Sequence, residues 1–169
     1  DIVAIRVVRR AEELANTASH ALGCALALLA WPLLAEAARR QSGGLGMVGV
    51  GVFCASMALQ YAASTVYHAM PPGRAKNWAR AVDHAAIFVF IAGSATPFTL
   101  GAMPGLAGAA TCALVWTLAL WGAALKLRRR LTNRRLSTGL YILLGWLAFV
   151  AATSTTAGFQ VRCVTSWLG

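Results

Sequence analysis

Residues 14–35 read LANTASHALGCALALLAWPLLA and carry no formal charge when His20 is neutral. As a helix this stretch would be about 33 Å long, close to the roughly 30 Å hydrocarbon core of a bilayer. Working outward, comparable stretches recur at 43–67, 84–102, 106–125 and 136–157. Between them stand turn signals: Pro71-Pro72-Gly73 after the second stretch and Gly101-Ala102-Met103-Pro104-Gly105 between the third and fourth. The spacing predicts an all-α, polytopic transmembrane helix bundle with five spans, forming one integral membrane domain over residues 1–169.

The composition agrees. Of the 169 residues, 59% are hydrophobic and 12% are charged. A soluble domain is about 45–50% apolar and about 25% charged. One soluble core of this size could not hide so much apolar surface, so membrane lipids are the expected partners. The net charge of +10 does not point to nucleic acid, because Lys and Arg occur in short clusters between long uncharged stretches. The sequence begins at Asp1, and Arg6, Arg9 and Arg10 are not followed directly by a short apolar run with a small-residue cleavage site. The first apolar stretch is therefore read as a permanent span rather than a cleaved signal.

The Lys and Arg clusters set an orientation. With the N-terminus inside, Arg6, Arg9, Arg10, Arg74, Lys76, Arg80, Lys126, Arg128, Arg129, Arg130, Arg134 and Arg135 are internal, and only Arg39, Arg40 and Arg162 are external. The positive-inside rule favours this arrangement, with a cytoplasmic N-terminus in a bacterial inner membrane. Cys24, Cys54, Cys112 and Cys163 have neither zinc-finger nor redox spacing and read as small apolar residues of packed helices. Gly43, Gly44, Gly46, Gly49 and Gly51 open the second span, where small residues let helices approach closely. The sequence leaves the oligomeric state open.

Ionisable residues within or beside spans are costly, and each marks a candidate site. Glu13, Asn16 and His20 recur at helical spacing at the start of span one. Ser64 and His68 are one turn apart at the end of span two, with Tyr61 a turn earlier. Asp83 and His84 begin span three. The orientation drawn from Lys and Arg puts all of them at one depth, on the cytoplasmic side, and predicts a shared polar site. Taken singly, each also reads as a helix cap or headgroup residue; Asp83, for example, suits the first turn of a helix. Imidazole with carboxylate suits zinc. By its chemistry His68 is the best metal ligand, Asp83 a base or water-mediated ligand, and Ser64 a group that orients water or a substrate oxygen.

These motifs resemble those of the haemolysin III proteins, within the progestin and adipoQ receptor superfamily. Glu13-Leu14-Ala15-Asn16-Thr17-Ala18-Ser19-His20 is similar to the family's ExxNxxxH motif, and Ser64-Thr65-Val66-Tyr67-His68 to its SxxxH motif. Arg80-Ala81-Val82-Asp83-His84-Ala85-Ala86-Ile87-Phe88, running on through Ile91 to Phe98, resembles the third-span signature. Leu136 to Tyr141 and Leu144-Gly145-Trp146 resemble the fifth span, and the likeness covers about residues 10–152. The resemblance implies a seven-helix bundle with a cytoplasmic zinc ion held by the SxxxH histidine, here His68, and by two histidines of an HxxxH in span seven. It also implies roles for Ser64 and Asp83 as catalytic residues, with Glu13, Asn16, His20 and His84 as supporting polar groups. It implies zinc-dependent hydrolysis of lipid amide or ester bonds at the inner leaflet. Its alternatives are a cytolytic protein, as the family name suggests, and a non-catalytic receptor or stress component.

The sequence departs from the family's pattern in containing no HxxxH and no sixth or seventh span, so two expected zinc ligands are absent from it. Residues 153–169 turn polar, and a truncated or frameshifted reading frame is expected from that change. Such a chain is expected to be inactive or to bind zinc poorly.

Overall fold

The computed structural model describes the backbone of residues 2–103 and 105–167, and the side chains of 10–40, 44–103, 105–150 and 153. The expected roles of Cys163 and of the atypical tail lie outside the described side chains. The first helical segment, Ile2–Ala69, is folded back on itself. Its limbs are α1 (Arg10–Arg40) and α2 (Gly44–Ala69). Cys24 Sγ lies 3.6 Å from the Ala58 carbonyl, and Glu13 meets His68 at one end. These pairs nest one inside the other, so the limbs run antiparallel. Then follow α3 (Arg74–Gly101), α4 (Gly105–Leu127) and α5 (Arg134–Trp167), with no strand among the described residues. The protein is a helical bundle, and four of its helices, α1 to α4, are long and apolar enough to cross a membrane. Much of the fifth predicted span, 136–157, lies on α5 residues with described side chains, and the rest lies beyond them.

Helix α3 is the central element. Ala85, Ala86, Phe88, Ala92, Ala95, Thr96 and Thr99 are all buried on it. The core joins Ala85, Phe88, Ala92 and Ala95 to Val115, Ala119 and Ala123 of α4 and Leu144 of α5. The outer faces carry Leu22, Leu29, Leu33, Leu120, Trp121 and Leu143, each more than half exposed. In water such a surface would aggregate; in lipid it is the solvated face.

Association within lipid rests on close packing rather than on hydrophobic burial. A Cβ built on Gly93 of α3 would overlap Ser56 Oγ and lie 2.6 Å from Ser56 Cβ on α2. One on Gly122 of α4 would lie 2.6 Å from the Phe88 ring of α3. Polar groups also pair across the bundle: Trp116 Nε1 donates to Thr96 Oγ1 at 3.0 Å, and Thr96 Oγ1 donates to the Ala92 carbonyl at 2.8 Å.

Two helix boundaries differ instructively from the apolar stretches. Helix α3 starts at Arg74, a full ten residues before the predicted span at 84. The intervening segment is charged but rich in good helix formers, and hydropathy reports burial in lipid rather than helicity. Helix α5 starts at Arg134 because Asn133 caps it: Asn133 Oδ1 accepts from the backbone N–H groups of Arg135 (2.9 Å) and Leu136 (3.2 Å).

Candidate functional site

The helical hairpin and the start of α3 place the polar residues at one end of the bundle. Helix α1 enters there, α2 leaves there, and α3 begins after the four intervening residues, 70–73, which include Pro71-Pro72-Gly73. Residues far apart in the sequence thereby become neighbours.

Glu13 joins the three elements. Its Oε2 is 2.7 Å from His68 Nδ1, and its Oε1 accepts from Lys76 Nζ at 2.7 Å. Both partners are largely buried, with His68 and Lys76 side chains 18% and 15% exposed. As a surface pair this would contribute little stability. Its consequence is orientation: a carboxylate on Nδ1 fixes the tautomer with the proton there and leaves Nε2 as a lone-pair donor. The His20 ring stands edge-on to His68 at 5.5 Å between centroids and to Tyr61 at 6.0 Å. Tyr67 packs against His68 at 4.7 Å, and its ring face receives Lys76 Nζ at 5.2 Å.

Ser64 and Asp83 lie deeper, 4% and 7% exposed. Asp83 accepts a 3.1 Å hydrogen bond from Gln60 Nε2. Gln60, Ser64 and His68 succeed one another at one-turn spacing, so a single face of α2 carries all three. Gln60 Oε1 is buried and has no hydrogen-bond partner among the described residues. Turning the amide would satisfy nothing, because it would set an oxygen against the Asp83 carboxylate.

The structure therefore brings Glu13, His20 and His68 into contact and sets Asp83 against the same face of α2 that bears Ser64. Asn16 is exposed, and its carbonyl accepts from Ser19 Oγ at 3.1 Å. His84 is not part of this group. It lines a neighbouring cavity with Tyr67, Arg80 and Lys126, because adjacent helical residues diverge by about 100°. Two members of the site were missed from the sequence. Gln60 was legible in the one-turn spacing to Ser64. Lys76 was read only as an orienting charge, and its contact with Glu13 follows from the turn at 71–73.

His68 and Asp83 have the donor chemistry of a zinc site. The set is not complete: among the described residues no group of three or more His, Cys, Asp or Glu is placed to hold a metal ion. The residues present do not by themselves fit the ion.

The family model for haemolysin-III-related proteins matches residues 8–168, beyond the 10–152 over which motifs could be matched by eye. The chain is 35% identical over 155 residues to the Hemolysin-3 homolog of Bacillus subtilis (strain 168), covering 89% of this chain and 73% of that protein. It is 34% identical over 140 residues to Hemolysin-3 of Bacillus cereus, covering 83% of this chain and 64% of that protein. No solved structure matches the chain. With the polar motifs of α1, α2 and α3 gathered at one end of a helical bundle and matches of this extent, the chain belongs to the haemolysin-III-related family of multi-pass membrane proteins.

Proposed function

We propose that this protein acts as a hydrolase of lipid amide or ester bonds, and that the cluster of Glu13, His68, Ser64 and Asp83 is the part of the active centre this chain supplies. The single observation that carries the reading is the Glu13 Oε2–His68 Nδ1 contact of 2.7 Å. A carboxylate behind one imidazole nitrogen is the arrangement that presents the other nitrogen to a metal or to a reacting group. In this reading Asp83, held by Gln60, takes the proton from an attacking water, and the Ser64 hydroxyl orients that water or the substrate carbonyl. Glu13 has both oxygens engaged and serves as a positioning residue. Zinc is the cofactor this chemistry suits, with His68 as one ligand, and further ligands would have to join it.

The clustering of Lys and Arg supports placing this end of the bundle on the cytoplasmic side of a bacterial inner membrane. The substrate bond would then lie in the inner leaflet.

The test is turnover of a fluorescent ceramide and a fluorescent phospholipid ester by the purified chain in nanodiscs, with zinc content measured in parallel. His68→Ala and Asp83→Asn are expected to abolish hydrolysis without loss of thermal stability. Glu13→Gln is expected to lower turnover without abolishing it, because the amide orients the His68 ring less firmly than the carboxylate. A folded, zinc-supplied protein that turns over neither class of bond would overturn the proposal.

A further inference from the structure

Beside the Glu13–His68 cluster, helices α3, α4 and α5 line a cavity of about 370 Å³ together with Tyr67 of α2, the same ring that packs on His68. Arg80, His84, Lys126 and Arg134 line it, together with Ser137 and Thr138. An adjoining cleft of about 220 Å³ shares Arg80, His84 and Lys126 and adds Arg129.

No carboxylate lines either space. The chain has five acidic residues: Asp1, Glu12, Glu13, Glu36 and Asp83. Glu13 is engaged by His68 and Lys76, Glu36 by Arg39 and Arg40, and Asp83 by Gln60. Among the described residues the ion pairs are those of Arg39 and Arg40 with Glu36 and of His68 and Lys76 with Glu13, so Arg80, Lys126, Arg129 and Arg134 have no ion-pair partner. Like charges gathered around one concavity repel one another, and an anion seated there would relieve that repulsion.

The site is also built rather than merely charged. Lys126 Nζ is held by the Leu131 carbonyl at 3.1 Å and Ser137 Oγ at 2.7 Å, which leaves one of its three protons to donate. The Arg129 guanidinium is parked 5.3 Å over the Trp78 ring, in a turn where Arg129 has a φ of 54°. Three of the lining hydroxyls are occupied: Ser137 donates to Asn133, Thr138 to Arg134 and Tyr141 to His84, in each case to the carbonyl. The charged donors at the cavity are Arg80, Lys126 and Arg134, with the uncharged Thr132 and Tyr67 hydroxyls beside them. Guanidinium forks flanking a fixed ammonium match an anion with several oxygens, and the volume suits a headgroup-sized ligand.

We propose that the α3–α4–α5 cavity binds a phosphate group, carried either by an anionic lipid headgroup or by a free phosphate anion. The site adjoins the proposed hydrolytic cluster through Tyr67 but includes none of Glu13, Ser64, His68 or Asp83.

The experiment uses the full chain purified in a neutral detergent. Inorganic phosphate binding is measured by equilibrium dialysis at constant ionic strength. Lipid retention is measured by native mass spectrometry after extraction from vesicles of equal phosphatidylglycerol and phosphatidylcholine. Saturable binding is expected, weakened about tenfold by Arg80→Gln or Arg134→Gln, as fits loss of one charge-assisted hydrogen bond. Arg128→Gln, a basic residue of the same turn that does not line the cavity, is expected to stay within twofold. Selective retention of phosphatidylglycerol supports the lipid source, and phosphate binding without lipid preference supports the free anion. Absence of saturable binding to both probes, or an equal loss in Arg128→Gln, would overturn the proposal, since general surface charge would then account for the attraction.

Discussion

Replacing Gly93 by alanine is expected to destabilise the bundle and loosen its polar site in one step. The added Cβ would lie 2.6 Å from Ser56 Cβ, whereas ordinary contact begins near 3.4 Å. Ser56 Oγ could swing aside, but its Cβ is fixed to the backbone of α2. The helices must therefore separate by about 0.8 Å at this level. Overpacking of this kind costs about 1–3 kcal/mol. The shift is also felt one turn away, where Gln60 of α2 donates to Asp83 of α3 at 3.1 Å. Adding about 0.8 Å there takes the pair beyond hydrogen-bonding distance. The assay is reversible unfolding of the purified chain in mixed dodecyl maltoside and dodecyl sulfate micelles, run as a double-mutant cycle with Ser56→Gly. Ser56→Gly alone should cost at most about 1 kcal/mol from helix propensity. Combined with Gly93→Ala it should recover about 1–2 kcal/mol, and Ser56→Ala, which keeps the Cβ, should recover less. A Gly93→Ala variant within about 0.5 kcal/mol of the parent, or strictly additive single and double variants, would refute the reasoning.

Other outcomes follow from the same contacts. Asn133→Ala removes the cap of α5 and should cost about 0.5–2 kcal/mol in the same unfolding assay, with Asn133→Asp close to neutral. Trp116→Phe removes the donor to Thr96 Oγ1 and should cost about 0.6 kcal/mol, the average for a hydrogen bond between membrane helices; a loss above about 2 kcal/mol would show that ring packing dominates. In a variant with Cys24, Cys54, Cys112 and Cys163 replaced by alanine, a cysteine at Arg128 should resist a membrane-impermeant maleimide in intact cells and react after permeabilisation. Labelling in intact cells would reverse the proposed orientation.

The bundle was legible in the sequence because a span is a one-dimensional object. Stretches such as 14–35 must be long and apolar wherever their neighbours lie, since lipid demands it of each helix separately. The depth of Glu13, Ser64, His68 and Asp83 was legible for the same reason: distance from the end of a span can be counted along the chain. The helical extension from Arg74 was not, because a charged helix outside lipid leaves no mark on hydropathy.

Which faces meet could only be decided by tertiary packing. The sequence places Glu13 and His68 at one level, but the α1–α2 hairpin brings the carboxylate within 2.7 Å of Nδ1, and the Pro71-Pro72-Gly73 turn brings Lys76 to its other oxygen. Asp83 and His84 are neighbours in the chain, and the helical screw sends one to Gln60 and the other to the basic cavity. That cavity was invisible beforehand because Arg80, Lys126 and Arg134 come from three helices, and in a linear reading each counts only as an orienting charge. The sequence determined that this chain crosses a membrane as helices and at what depth its polar groups sit; the close approach of those helices, set by contacts such as Gly93 on Ser56, determined which of those groups act together.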